Sequence, residues 1–185
     1  MTFRYLHWGA VGAIAVVMAA SLVSLGRNLI CQCGYIKLWH GDVVSSENSQ
    51  HIFDWYSPSH VLHGLVFYMA LHFLLPKLDI GWRLVMAAAI EAAWEVFENT
   101  SWIIDKYRED TIALDYYGDS VVNSLSDMAM MVLGFIIAAR APVWLSVCLF
   151  IAAELVVGLI IRDGWLLNII MLLYPLDWIR QWQAG

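Results

Sequence analysis

PVWLSVCLFIAAELVVGLII, residues 142–161, is a run of twenty residues with one charged side chain, Glu154. At a helical rise of about 1.5 Å per residue, such a run matches the roughly 30 Å hydrocarbon core of a bilayer. In hydrocarbon every backbone N–H and C=O must find its partner within the segment, so the run predicts a spanning helix. Similar apolar blocks lie on either side of it, at roughly 8–25, 58–76, 81–104, 119–139 and 164–180. Together they predict an all-α polytopic membrane helical bundle with about six transmembrane helices. A single domain over 1–185 is expected, with one long extramembrane loop at 26–57. The last block is short and holds Asn168, Pro175 and Asp177, so an interfacial helix is the alternative there.

Composition supports this reading. The chain is 61% hydrophobic and 14% charged, whereas a soluble domain is about half apolar and a quarter charged. A net charge of −6 excludes the basic patch of a nucleic-acid binder. The first block follows Arg4 and has some features of a secretory signal. It is long and lacks a clean A-x-A site, which favours a retained span. Trp8, Trp82, Trp102, Trp144, Trp165 and Trp178 fall near proposed span ends, where indoles prefer the headgroup level; Trp94 is the mid-span exception. Arg4, Lys77, Arg83, Arg140 and Arg180 fall in short connections or near span ends on one side. As many, Arg27, Lys37, Lys106, Arg108 and Arg162, fall on the other side, but there they are mixed with acidic residues; the short loops therefore favour an N-terminus in the cytoplasm with the first and third loops opposite.

Charged groups inside a span cost at least about 2.5 kcal/mol each at mid-membrane and point to function by default. The string IEAAWEVFENTSW, 90–102, puts Glu91, Glu95 and Glu98 on one stripe beside Asn99. GDSVVNSLSD, 118–127, spaces Asp119, Asn123 and Asp127 by four, again on one face. SPSHVLHG, 57–64, sets His60 and His63 one turn apart. The three stripes lie at similar depth from one membrane surface and predict a polar crater opening to that side. His60, His63, Glu95, Glu98 and Asp127 are the expected ligands of a divalent metal such as Zn, Mn or Fe. Glu91 and Asp119 are the acid or base candidates, and Asn99 and Asn123 binding residues. A hydrogen-bond network that only fixes helix packing is the competing account of the same residues.

The first loop, GRNLICQCGYIKLWHGDVVSSENSQHIFDWYS, is long for a connection and is expected to fold over the crater. Cys31, Cys33, His40 and His51 are its candidate binding residues. A disulfide across one intervening residue is strained, so Cys31 and Cys33 read as free thiols, a metal or redox pair, or partner contacts. Cys148 reads as a buried hydrophobe, His7 as a headgroup-level residue and His72 as a packing or interface histidine. Glu154 either joins the cluster or pairs with a donor on an inner helix.

The runs ICQCGYIKLWHG, SSENSQHIFDWYSPSHVLHG, AAWEVFENTSWIIDKYRE and ALDYYGDSVVNSLSDM, within residues 25–135, resemble a family of mainly alphaproteobacterial multipass inner-membrane proteins. The resemblance implies a bacterial inner-membrane address and assigns no activity. His63, Glu95, Asp119, Asn123 and Gly134 also resemble the layout of VanZ-like membrane proteins, a group associated with resistance to glycopeptide or lipopeptide antibiotics. The function expected is a metal-dependent enzyme acting on a lipid or lipid-linked headgroup from the periplasmic side. The alternatives are a non-enzymatic envelope protein that binds a lipid or a partner protein, and a proton-coupled carrier.

Overall fold

The computed structural model describes residues 3–111 and 115–185. Among these, eight helices follow in order: α1 (Tyr5–Ser24), α2 (Ser57–Leu74), α3 (Ile80–Glu98), α4 (Ser101–Asp110), α5 (Val121–Arg140), α6 (Val143–Ile161), α7 (Trp165–Leu173) and α8 (Asp177–Ala184). The only β pairing among the described residues is an isolated bridge between Trp39 and Phe53 in the first loop. The all-helical architecture expected from hydropathy is therefore present. Three helices, α1, α5 and α6, are long and apolar enough to cross a membrane.

Two boundaries differ from the sequence reading. The block at 81–104 is broken: α3 ends at Glu98, and α4 starts at Ser101 after Thr100 in extended conformation. The last block is also broken, into α7 of nine residues and α8 of eight, with Pro175 between them. Proline has no N–H to continue a helix. At about 1.5 Å per residue, neither short helix spans a bilayer.

The core of the bundle is the α2–α5 pair, with α1 packed along α3 and α3 against both α2 and α5. Glycine makes the central crossing possible. A Cβ on Gly64 would run into the Met131 carbonyl oxygen and the Phe135 nitrogen, and one on Gly134 into the Val61 carbonyl. The two backbones thus touch at Gly64 and Gly134, as small residues permit between membrane helices. Leu84, Met131 and Phe135 fill the core beside them. Met128 and Met131 serve packing here.

α6 shows the opposite pattern. Val143, Trp144, Leu155 and Leu159 are exposed, and only Val157 and Ile161 are buried. An apolar face of this kind on a nineteen-residue helix is lipid-facing surface. Cys148 lies on it, exposed rather than buried. Glu154 accepts the N–H groups of Trp165 and Leu166, so it caps α7 instead of joining a cluster. His7 is buried, seated where α1 begins alongside Gly81 of α3. His72 stacks on Tyr68 and stands 3.2 Å from Arg83.

The first loop is an ordered cap. Its backbone supplies the partners that the start of α5 lacks: Ser120 N–H donates to Ser49 O, Val121 N–H to Asn28 O and Val122 N–H to Leu29 O. The Ser120 hydroxyl accepts from Asn123 N–H. The first turn of a helix has four donors without intrahelical acceptors, and here every one of them is met. Gln50 and Asn123 complete the seam, through Gly118 O and His51 O.

Candidate metal centre

Three helices bring five predicted residues together. Position 60 on α2 faces positions 91 and 95 on α3 and position 127 on α5, because the Gly64–Gly134 crossing draws α2 onto α5. His60 Nδ1 lies 2.7 Å from Glu91 Oε1, and His63 Nδ1 lies 2.8 Å from Glu91 Oε2. His60 also stands 3.4 Å from Glu95 Oε1 through Nδ1, and 3.8 Å from Asp127 Oδ2 through Nε2. Glu91 and Glu95 are 0% and 1% exposed, so solvent does not offset their charge.

The hydrogen bonds divide this group into two parts. Glu91 faces the Nδ1 atoms of both imidazoles. As the acceptor from both, it fixes each ring in the tautomer whose Nε2 carries the lone pair. A carboxylate behind a histidine is the usual way to orient a metal-ligating or basic imidazole. The second part is unsatisfied: neither oxygen of Glu95 makes a hydrogen bond, nor does Oδ1 of Asp127. A buried carboxylate without a partner is strongly disfavoured. One ligand atom each from His60, Glu95 and Asp127 falls within 4.8 Å of the others, and the same holds for His60, His63 and Glu91. Imidazole nitrogen with carboxylate oxygen from facing helices is a donor set for Zn, Mn or Fe.

The remaining predicted residues lie outside this convergence. Glu98 accepts from Tyr107 OH at 2.7 Å. Asp119 accepts from Asn99 Nδ2 at 2.7 Å and from Tyr116 OH at 3.0 Å, while Asn99 Oδ1 accepts from the Asp119 N–H. Both carboxylates line a cavity of about 80 Å³ with His60, His63, Asp127 and Asn123. Cys31, Cys33, His40 and His51 are not among its lining residues.

The loop residues gather instead around Glu47. Lys37 and His51 both contact Glu47 Oε2, and Tyr35 OH donates to Oε1 at 2.8 Å. These hydrogen bonds, Lys37 first, hold the Glu47 carboxyl down at about 2. Cys31 and Cys33 are joined as a disulfide, which excludes the free-thiol reading and is compatible with a redox pair. A turn closed by Gly34 N–H to Cys31 O sets their Cα atoms 5.1 Å apart, within the range a disulfide spans. Cys31, Cys33, Glu47 and His51 also lie close enough to share an ion. Yet the two sulfurs are bonded, and His51 Nδ1 already accepts the Lys37 backbone N–H. That leaves the proton on Nε2, facing Glu47, so hydrogen bonding accounts for this group.

Sequence reasoning missed the aromatic wall of the cavity, made by Tyr56, Trp94, Tyr107, Tyr116 and Trp165, and its further carboxylate, Asp163. Trp94 had carried a signal, as the one tryptophan in the middle of a proposed span. The tyrosines carried none, because tyrosine near a span end is an ordinary interface anchor.

The fold and the buried histidine–carboxylate cluster define the class, a helical membrane protein with a polar centre inside its bundle. The chain belongs to the family described as protein of unknown function (DUF2585), which matches residues 22–185. It is 55% identical over 184 residues to the UPF0314 protein of Paracoccus denitrificans, covering 100% of this chain and 95% of that relative. The UPF0314 protein RL4541 of Rhizobium johnstonii is 48% identical, over 94% of this chain and 89% of its own. The UPF0314 protein of Sphingopyxis alaskensis is 47% identical, over 96% and 95%. No solved structure matches the chain.

Proposed function

We propose that the chain is a bacterial inner-membrane enzyme in which a divalent cation held by His60, Glu95 and Asp127 acts on a lipid or lipid-linked headgroup. The observation that carries this reading is the set of three buried carboxylate oxygens, two on Glu95 and one on Asp127, with no hydrogen-bond partner. A cation gives all three a partner at once. It also supplies Lewis-acid chemistry, polarising a substrate oxygen or activating water. His63, its Nδ1 facing Glu91 and its ring on the cavity wall, is the candidate general base. Glu91 is then a positioning residue rather than the acid or base.

The proposed topology has five spans, α1, α2, α3, α5 and α6. Helices α2 and α3 are 18 and 19 residues long, and they turn their ionisable residues into the bundle, as membrane proteins do. Loop 26–56 and the cavity then face the periplasm, with α7 and α8 at the interface.

Elemental analysis of purified protein tests the reading. Wild type is expected to hold one equivalent of metal, His60→Ala and Glu95→Gln to lose it, and His63→Ala to keep it. A folded wild type that stays metal-free after incubation with Zn²⁺, Mn²⁺ or Fe²⁺ would sink the proposal.

A further inference from the structure

Three phenols around the cavity each hold one carboxylate. Tyr56 OH donates to Asp163 Oδ2 at 3.1 Å, Tyr107 OH to Glu98 Oε1 at 2.7 Å, and Tyr116 OH to Asp119 Oδ1 at 3.0 Å. Trp94 and Trp165 complete the wall. Among the described residues, no lysine or arginine lines this space. Asp127, 5% exposed and also on the lining, has an oxygen with no partner.

From this pairing of acids with aromatic rings, we propose that the cavity binds an ammonium group, such as the one carried by an aminophospholipid headgroup. Four lining carboxylates, Glu98, Asp119, Asp127 and Asp163, against two histidines, His60 and His63, favour a cation and repel an anionic headgroup. The aromatic faces narrow the choice, because alkylammonium ions are recognised by aromatic side chains. Divalent metals take oxygen, nitrogen or sulfur donors instead. About 80 Å³ admits a few waters or a small headgroup. The position also fits, because α4 and α7, which supply Tyr107 and Trp165, are too short to span, pack on each other and share the cavity lining with Asn48 and Ser49 of the first loop. This inference names the substrate class of the proposed enzyme and rests on that reading for its catalytic meaning, but the binding step itself needs no metal.

The test follows tryptophan fluorescence of full-length protein in detergent, since Trp94 and Trp165 border the site. Phosphatidylethanolamine, phosphatidylcholine and phosphatidylglycerol are titrated separately, and soluble phosphoethanolamine is titrated as a fourth arm. Saturable binding of either ammonium lipid at least about tenfold tighter than phosphatidylglycerol is expected. A response to phosphoethanolamine as strong as to the lipid assigns the ligand to the free amine; a response to lipid alone assigns it to the membrane. Glu98→Gln with Asp163→Asn should abolish the preference.

Equal binding of phosphatidylglycerol by wild type would overturn the inference without recourse to any variant. A preference unchanged in the double variant would overturn it as well. Metal content is measured on the same samples. Metal bound without ammonium preference removes this inference and leaves the metal centre. Ammonium preference in a metal-free protein does the reverse.

Discussion

Glu91 touches His60 and His63 of α2, and those contacts separate ligand from support. If Glu91 only orients the rings, Glu91→Gln should retain metal but at reduced affinity, by about 10–100-fold, as expected for a carboxylate behind a ligand. Isothermal titration with Zn²⁺ reads this directly; complete loss of binding would instead make Glu91 a ligand. His60, His63, Glu91, Glu95 and Asp127 were legible in the sequence because charge inside an apolar run is costly and stands out. Their division of labour was not, since it depends on which nitrogen of each ring faces which oxygen. Asp163 was missed for the opposite reason: in the turn between α6 and α7, an acidic residue carries no signal.

At the scale of elements, the crossing of α2 and α5 and the capping of α5 position the site. Gly134→Ala places a methyl against the Val61 backbone, where no side chain can move aside. A cost of about 1–3 kcal/mol is expected, measured as a lower Tm in detergent with metal loss following. Ser120→Ala removes the hydroxyl that accepts from Asn123 N–H and donates to Gln50 O. Loss of such a cap costs about 1 kcal/mol; no change in Tm would show that the loop holds α5 without it. Hydropathy marked the long helices because lipid imposes one length on them. It missed the break at Asn99–Thr100, where the apolar pattern runs on into Ser101–Ile104. The Asn-Thr-Ser string there, rich in capping residues, was the available signal.

For the whole molecule, the first loop should loosen in acid. Glu47 is held at about 2 in the folded loop, below its ordinary 4.5. Its contribution is present in full above about 4.5 and is lost as pH falls towards about 2. Loop protection, read by hydrogen exchange, should therefore weaken across that acidic range in wild type and change less in Glu47→Gln. Topology is tested by single cysteines added in a cysteine-free background. Ser45→Cys and Asp115→Cys should label from the periplasm, and Lys77→Cys only after the membrane is opened. The central claim is that His60 nitrogen and the carboxylates of Glu95 and Asp127 hold a cation. Pulsed electron paramagnetic resonance of the Mn²⁺-loaded protein tests it most directly. The account predicts a directly bound imidazole nitrogen in wild type that disappears in His60→Ala. A manganese signal with no nitrogen coupling, or a coupling that survives that substitution, would contradict it.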